Sequence, residues 1–140
     1  MTDPRPAGTP WLTPYLTVRN ARASTTFYER AFGFAVRAAD HENEALLHVE
    51  MTYRDQLTLM FAPEGAFGST AKTPRSAGAV SPQCFYLYVD DVDAVYEHAI
   101  AAGATSQMEP ADQFWGDRFA QIEDLDGYRW GLASRAQRAG

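Results

Sequence analysis

The stretch Tyr15-Leu16-Thr17-Val18 recurs 71 residues further on as Tyr86-Leu87-Tyr88-Val89. The same shift lays Asn20 on Asp91, and Asp55, Leu59 and Ala62 on Asp126, Trp130 and Ala133. A pattern repeated at fixed spacing with little identity marks one structural unit used twice. In each copy an alternating strand, 13–18 and then 84–89, runs into a residue suited to cap a helix, Asn20 or Asp91. The first helix is expected to bury Ala23, Phe27 and Ala31. The second is expected to bury Val92, Val95, Ala99 and Ala102. Gly33 and Gly103 stand where a left-handed helix end is favoured. Strand-like runs follow at 34–39, 45–53 and 56–62, and again at 104–109, 118–123 and 128–134, with a turn at Asp126-Gly127. Each copy therefore reads βαβββ.

The 140 residues suit one domain, with 46% of them hydrophobic, enough for a core without disulfide or metal. The expected layout is an N-terminal arm at 1–10, a single domain at 11–134 and a tail at 135–140. Within the domain, module one covers about 11–62 and module two about 83–134. The stretch 63–82, rich in Gly, Ser, Thr, Ala and Pro, is the linker between them or a mobile flap. Cys84 is the one cysteine, which excludes an internal disulfide and points to a reducing, cytoplasmic setting. A small buried hydrophobe is its default role. A net charge of −6 argues against a nucleic-acid partner and suits neutral or cationic small ligands. No run approaches the ~18 apolar residues of a membrane span, and the polar, Pro-rich start does not read as a signal peptide.

Alternation separates two sheet faces. Leu16, Val18, Leu47, Val49, Met51, Leu57, Leu59 and Phe61 belong under a helix, as do Phe85, Leu87, Val89, Ala120, Ile122, Tyr128, Trp130 and Leu132. The opposite face carries Tyr15, His48 and Glu50 in the first copy. In the second it carries Tyr86, Tyr88, Phe119, Gln121, Glu123 and Arg129. That mixture suits a wet small-molecule site with aromatic walls, or a solvated face that binds nothing.

The ordered set Pro14-Tyr15-Leu16-Thr17-Val18, Phe27-Tyr28, Ala31-Phe32-Gly33-Phe34, Val89-Asp90-Asp91-Val92, Ala102-Gly103-Ala104, Phe114-Trp115-Gly116-Asp117-Arg118 and Asp124-Leu125-Asp126-Gly127-Tyr128-Arg129-Trp130 resembles the vicinal oxygen chelate superfamily. More narrowly it resembles the glyoxalase/bleomycin resistance protein group, over about residues 11–134. The resemblance implies an α+β fold of two βαβββ modules with mixed sheets curled around a cleft. It also implies a homodimer, and, in the enzymes, one divalent metal held by residues of the first and last strands of each module. Those positions map to Thr13 and Cys84, to Gly131, and to Met60 or Thr58. Gly, Met and Thr do not make a His/carboxylate shell and Cys84 alone is one soft ligand, so no metal cofactor is expected at the usual place.

The aromatic residues then carry the ligand-binding case. The candidates are Tyr15, Tyr86, Tyr88, Trp115 and Phe119, with Gln121 and Arg129 as polar handles and Phe67 reaching in from the 63–82 stretch. Resistance proteins of this group stack aromatic rings on flat drug groups. The first expectation is a metal-free small-molecule binder that sequesters a drug or aromatic metabolite. The alternative is an enzyme, either a lyase, isomerase or dioxygenase with a displaced divalent metal, or a metal-free acid–base catalyst using His48 and Glu50. A third reading is a domain whose cleft is filled by its own aromatic rings and which serves only in association. Asp117 and Arg118 are expected to pair with each other or to cap their loop. Trp11 is expected to anchor the arm, and His41 and His98 to be ordinary surface residues. No Gly-rich phosphate loop or Gly-x-Ser-x-Gly elbow occurs.

Overall fold

A computed structural model describes residues 2–136. In chain order they form β1 (Tyr15–Val18), α1 (Ala21–Phe32), β2 (Ala35–Glu42), β3 (Ala45–Tyr53), β4 (Gln56–Pro63), α2 (Pro74–Ala77), β5 (Cys84–Tyr88), α3 (Val92–Ala101), β6 (Thr105–Asp112), β7 (Asp117–Glu123) and β8 (Arg129–Arg135). The two βαβββ modules are present as four-stranded mixed sheets, ordered β1-β4-β3-β2 and β5-β8-β7-β6. In each, the first strand runs parallel to the last and the other pairings are antiparallel. Contacts divide the chain into two compact units. One holds the residues up to Glu29 together with Gly33–Thr73, and the other holds Arg30–Phe32 and the chain from Pro74 on. Among the described residues no helix is long and apolar enough to cross a membrane.

Local chemistry starts and stops the long helices as expected. The Asn20 and Asp91 side chains accept from the backbone N–H of Ala23 and Ala94, at 3.0 and 3.1 Å, filling orphan donors of the first turn. Gly33 ends α1 at φ 74°, a conformation that costs an L side chain energy and costs glycine none. The buried stripe of α1 differs from the expected one. Ala23 is exposed, whereas Ala21, Ser24, Phe27, Tyr28, Ala31 and Phe32 are buried. A spacing of four drifts off a 3.6-residue turn, so the buried position before Phe27 is Ser24, three residues back and not four. In α3, Val92, Tyr96 and Ala99 are buried while Val95, and Ala102 just past its end, are half-buried. Tyr96 takes the deeper place because its hydroxyl reaches Ser106 Oγ at 2.7 Å.

Each unit has its own core. In the first, Tyr28 stacks on Phe34 and tilts against Phe61, above the fully buried Val49, Met51 and Leu59. In the second, the Trp130 ring lies 5.0 Å from both Phe32 and Phe85, above Ala120, Ile122 and Leu132. Thus the face assigned by alternation to the helices is the buried one in both sheets. The stretch expected as a linker or flap holds a short 3-10 turn (Ala66–Gly68) and α2, and the boundary between the units falls inside it. Thr73 in this stretch is buried and donates its N–H to Glu64 Oε1 at 3.0 Å. Arg75 binds the β7–β8 turn through Asp126 O and Leu125 O. Strand β8 runs on to Arg135, where the tail was expected to begin, and residues 137–140 lie outside the described residues. Trp11 is largely exposed, with the Arg5 guanidinium 3.8 Å from its ring centre.

The β7–β8 turn is organised by the carboxylate of Asp124, one of two buried there. Asp124, 2% exposed, accepts from the N–H groups of Asp126 and Tyr128 at 3.0 Å and from Trp130 Nε1 at 2.9 Å. Asp124→Ala would leave three donors without that acceptor, two backbone and one indole. The expected loss is about 3 kcal/mol of unfolding free energy in urea titration, with a smaller loss for Asp124→Asn, which keeps one acceptor oxygen.

Candidate functional site

The non-helix face of each sheet carries a group of polar and aromatic side chains. In the first unit, β1 and β3 bring Tyr15, His48 and Glu50 into one hydrogen-bonded chain. Tyr15 Oη lies 2.7 Å from His48 Nδ1, and His48 Nε2 lies 3.1 Å from Glu50 Oε2. A carboxylate only accepts, so in the neutral imidazole the geometry assigns the proton to Nε2 and leaves Nδ1 to accept from the tyrosine hydroxyl. Arg37, on β2, stands 3.6 Å from the other Glu50 oxygen. Burial, and then the negative charges of Glu50 and Asp40, push the Tyr15 phenol above its ordinary pKa. Alternation put His48 and Glu50 on one face. The third member, Tyr15, joins them because β1 pairs with β4 in parallel, with Tyr15 opposite Met60 and Met60 opposite Glu50.

The second unit fills the repeat-equivalent places with rings. Tyr86 and Phe119 stand where the first unit has Tyr15 and His48, and their centroids stack at 5.4 Å and 23°. Tyr15 and His48 stack at 5.6 Å and 28°. Trp115, in the turn before β7, packs edge-on against Phe119 at 5.7 Å and donates Nε1–H to Tyr86 Oη at 3.1 Å. Tyr86 in turn donates to Asp117 Oδ2 at 2.8 Å, and Tyr88 reaches the same oxygen at 3.4 Å. Tyr86, Tyr88 and Trp115 remain 44%, 60% and 48% exposed, whereas Phe119 is 6% exposed. Phe119 is therefore the floor of the aromatic face and its neighbours form the surface. Burial, then the hydrogen bond to Asp117, hold the Tyr86 phenol above its ordinary pKa.

Asp117 and Arg118 do not pair with each other. Adjacent strand residues point to opposite faces. Arg118 turns away to a bidentate pair with Asp93, at 2.6 and 2.9 Å, and to Asp112 at 3.1 Å. Those two carboxylates hold its guanidinium above the ordinary range. Asp117 is thus a member of the aromatic face that sequence reasoning missed. Its parity with Phe119 and Gln121 along β7 was the available signal. Gln121 is buried, with its amide turned so that the oxygen accepts from Arg129 Nη2 at 2.8 Å. Arg129 also reaches Gln107, which donates to Glu123 at 2.7 Å, and Glu123 stands 3.5 Å from Arg75. Gln121 and Arg129 are therefore tied into a network at the far end of β7 and β8. Phe67 is exposed on the 3-10 turn of the first unit. Cys84 is an exposed free thiol and not a buried hydrophobe, because its strand parity sets it on the same face as Tyr86.

Of the positions that the family resemblance assigns to a metal, only Cys84 carries a strong donor, and one thiol does not make a site. Gly131 has no side chain and sits opposite Tyr86 and Gln121, and Met60 sits opposite Tyr15. Among the described residues no group of three or more His, Cys, Asp or Glu side chains is placed to hold a metal ion. At Gly131 the cause is steric. A Cβ there would fall 2.7 Å from Phe119 Cε2 and 3.3 Å from Tyr86 Cδ2. The stacked pair occupies the space that a side chain from the last strand would need.

Two βαβββ modules with this site match a known family over nearly the whole chain. The model of the Glyoxalase/Bleomycin resistance protein/Dioxygenase superfamily matches residues 10–132, and the protein belongs to that superfamily. An uncharacterised protein of Mycobacterium bovis, Mb0911c, is 32% identical over 126 residues, covering 88% of this chain and 82% of its own length. The crystal structure of TioX from Micromonospora sp. ML1 superposes with a TM-score of 0.70 at 21% identity, covering 89% of this chain and 98% of that one. A bleomycin-binding protein solved in complex with bleomycin superposes with a TM-score of 0.60 at 22% identity, covering 91% and 99%.

Gly131→Ala tests the packing of the aromatic face. The added methyl must displace a ring held between Tyr86 and Trp115. The expected cost is about 1–3 kcal/mol in chemical unfolding, accompanied by a change in tryptophan emission as Trp115 loses its edge contact.

Proposed function

We propose that this protein binds an organic small molecule without a metal ion, on the aromatic face of its second unit, and sequesters it as a drug or aromatic metabolite. The observation that carries this reading is the exposed Tyr86–Tyr88–Trp115 surface, whose rings are fixed by hydrogen bonds before any ligand arrives. Rings fixed in advance lose little freedom on binding, so more of the stacking energy appears as affinity. The likeness to a bleomycin-binding protein supports the same reading. Sequestration needs no reaction, only a complex tight enough to lower the free ligand. The reading also takes the protein as a cytoplasmic homodimer. A single free thiol suits a reducing compartment, and sedimentation velocity measures the dimer.

Metal analysis of untagged protein is the first test. Less than about a tenth of an equivalent per chain is expected after Mg, Mn, Fe, Ni or Zn is offered. A near-stoichiometric metal that disappears in His48→Ala would overturn the reading. Tryptophan quenching with a panel of flat aromatic compounds, bleomycin among them, is expected to give saturable binding. Trp115→Ala should weaken that binding about tenfold, the equivalent of one stacking contact.

A second reading, a metal-free acid–base enzyme, rests on the Tyr15–His48–Glu50 chain. Glu50 orients the imidazole, Nδ1 stands ready to take a proton from the Tyr15 hydroxyl, and Tyr15 is half exposed to a substrate. The tautomer is measurable. Nitrogen NMR of His48 at neutral pH should show a protonated Nε2 and an unprotonated Nδ1, with the preference lost in Glu50→Gln. The opposite tautomer would remove Nδ1 as the proton acceptor and with it this reading.

A further inference from the structure

The aromatic face contains one carboxylate that no lysine or arginine bridges among the described residues. Asp117 opens β7 and projects among the rings. Its Oδ2 accepts from the Tyr86 and Tyr88 hydroxyls. Its Oδ1 receives no hydrogen bond among the described residues, and Arg135, opposite it on β8, is exposed and forms no ion pair with it. Neutral hydroxyl donors stabilise the anion without cancelling its charge. The adjacent cation, Arg118, is committed to Asp93 and Asp112 on the opposite face.

Two exposed tyrosines and an exposed tryptophan around an unpaired carboxylate make a recognisable chemical environment. The π faces of such rings carry partial negative charge and attract cations, organic ammonium ions above all, because these shed their hydration cheaply. A carboxylate at the same place adds full Coulomb attraction and repels anions. Phe119 beneath the rings keeps one side of the site dry, which strengthens both effects. The net charge of −6 acts in the same direction at longer range.

We propose that the ligand of this face is an organic cation, a flat heteroaromatic or quaternary ammonium ion, with its charge against Asp117 Oδ1 and its apolar body on Trp115, Tyr86 and Tyr88. This inference rests on the small-molecule-binding reading above and adds the ligand's charge to it. A neutral aromatic compound of the same shape meets the rings but gains nothing from Asp117. An anionic one is repelled.

Three probes of similar size separate these cases by tryptophan quenching at neutral pH: N-methylquinolinium, neutral quinoline and 1-naphthalenesulfonate. The cation is expected to bind about tenfold more tightly than quinoline, and the sulfonate more weakly than either. Asp117→Asn, nearly the same size as the native side chain, should collapse the cation-to-quinoline preference to about onefold to threefold. Tyr88→Phe, which keeps the ring, should retain most of it. Added salt should weaken the cation more than quinoline. Equal affinities for cation and quinoline in the native protein would overturn the cation proposal and leave the aromatic-binding reading standing. So would a preference that survives Asp117→Asn. Failure of all three probes to quench would overturn both readings. Burial of Trp115 as protein concentration rises, seen as a shift of its emission to shorter wavelength, would do the same and assign the face to a second copy of the chain.

Discussion

A buried carboxylate that gathers three N–H groups sets the geometry of the second sheet. Asp124 closes the turn between β7 and β8 and at the same time holds the indole of Trp130, the largest ring in that unit's core. With the turn held, the register of the two strands follows: Glu123 faces Arg129, Gln121 faces Gly131 and Phe119 faces Ala133. A slip of one residue would turn Phe119 and Asp117 toward the helix and put Ala120 on the open face. The aromatic face is thus a distant result of a carboxyl group that never reaches the surface. The same turn receives α2 through Arg75, so the stretch between the repeats is fastened to the element that sets the register.

The two repeats show how one backbone plan supports two chemistries. In each sheet a tyrosine of the first strand reaches across the last strand to a ring on the third, at nearly the same centroid distance. In the first unit that ring is an imidazole backed by Glu50, and the row between is filled by Met60. In the second it is a phenyl ring backed by Gln121, and the row between is Gly131. Flexible methionine yields to its neighbours, whereas a planar pair packed closely over a strand needs the absence of a side chain. Met60 and Gly131 also leave the last strands without the His or carboxylate donors that a metal centre built there would need.

Much of this was legible in the sequence because it depends on local rules. Helix caps, strand alternation and the 71-residue repeat each involve neighbours within a few positions, and they placed the strands, both long helices and the buried face of each sheet. The departures come from longer-range effects. Ala23 is exposed because the packing of α1 selects the 3.6-residue stripe that begins at Ala21 and Ser24. The joining of Tyr15 to His48 depends on the parallel register of β1 and β4, which alternation alone does not determine. Asp117 looked like a partner for Arg118 because they are adjacent. Its actual partners lie about thirty residues earlier in the chain. Asp124 stood within a recognisable motif, but its bond to the Trp130 indole depends on a rotamer that only a packed core selects.

Cys84 sits two residues before Tyr86 on β5, on the same face, exposed, and is the sole sulfhydryl among the 140 residues. The wild-type chain therefore carries a unique chemical address beside its aromatic surface. A maleimide dye or nitroxide attached there would occupy one known position, and its emission or mobility would register any molecule that settles on Tyr86 and Trp115. The fold comes already equipped with the attachment point that a binding sensor needs.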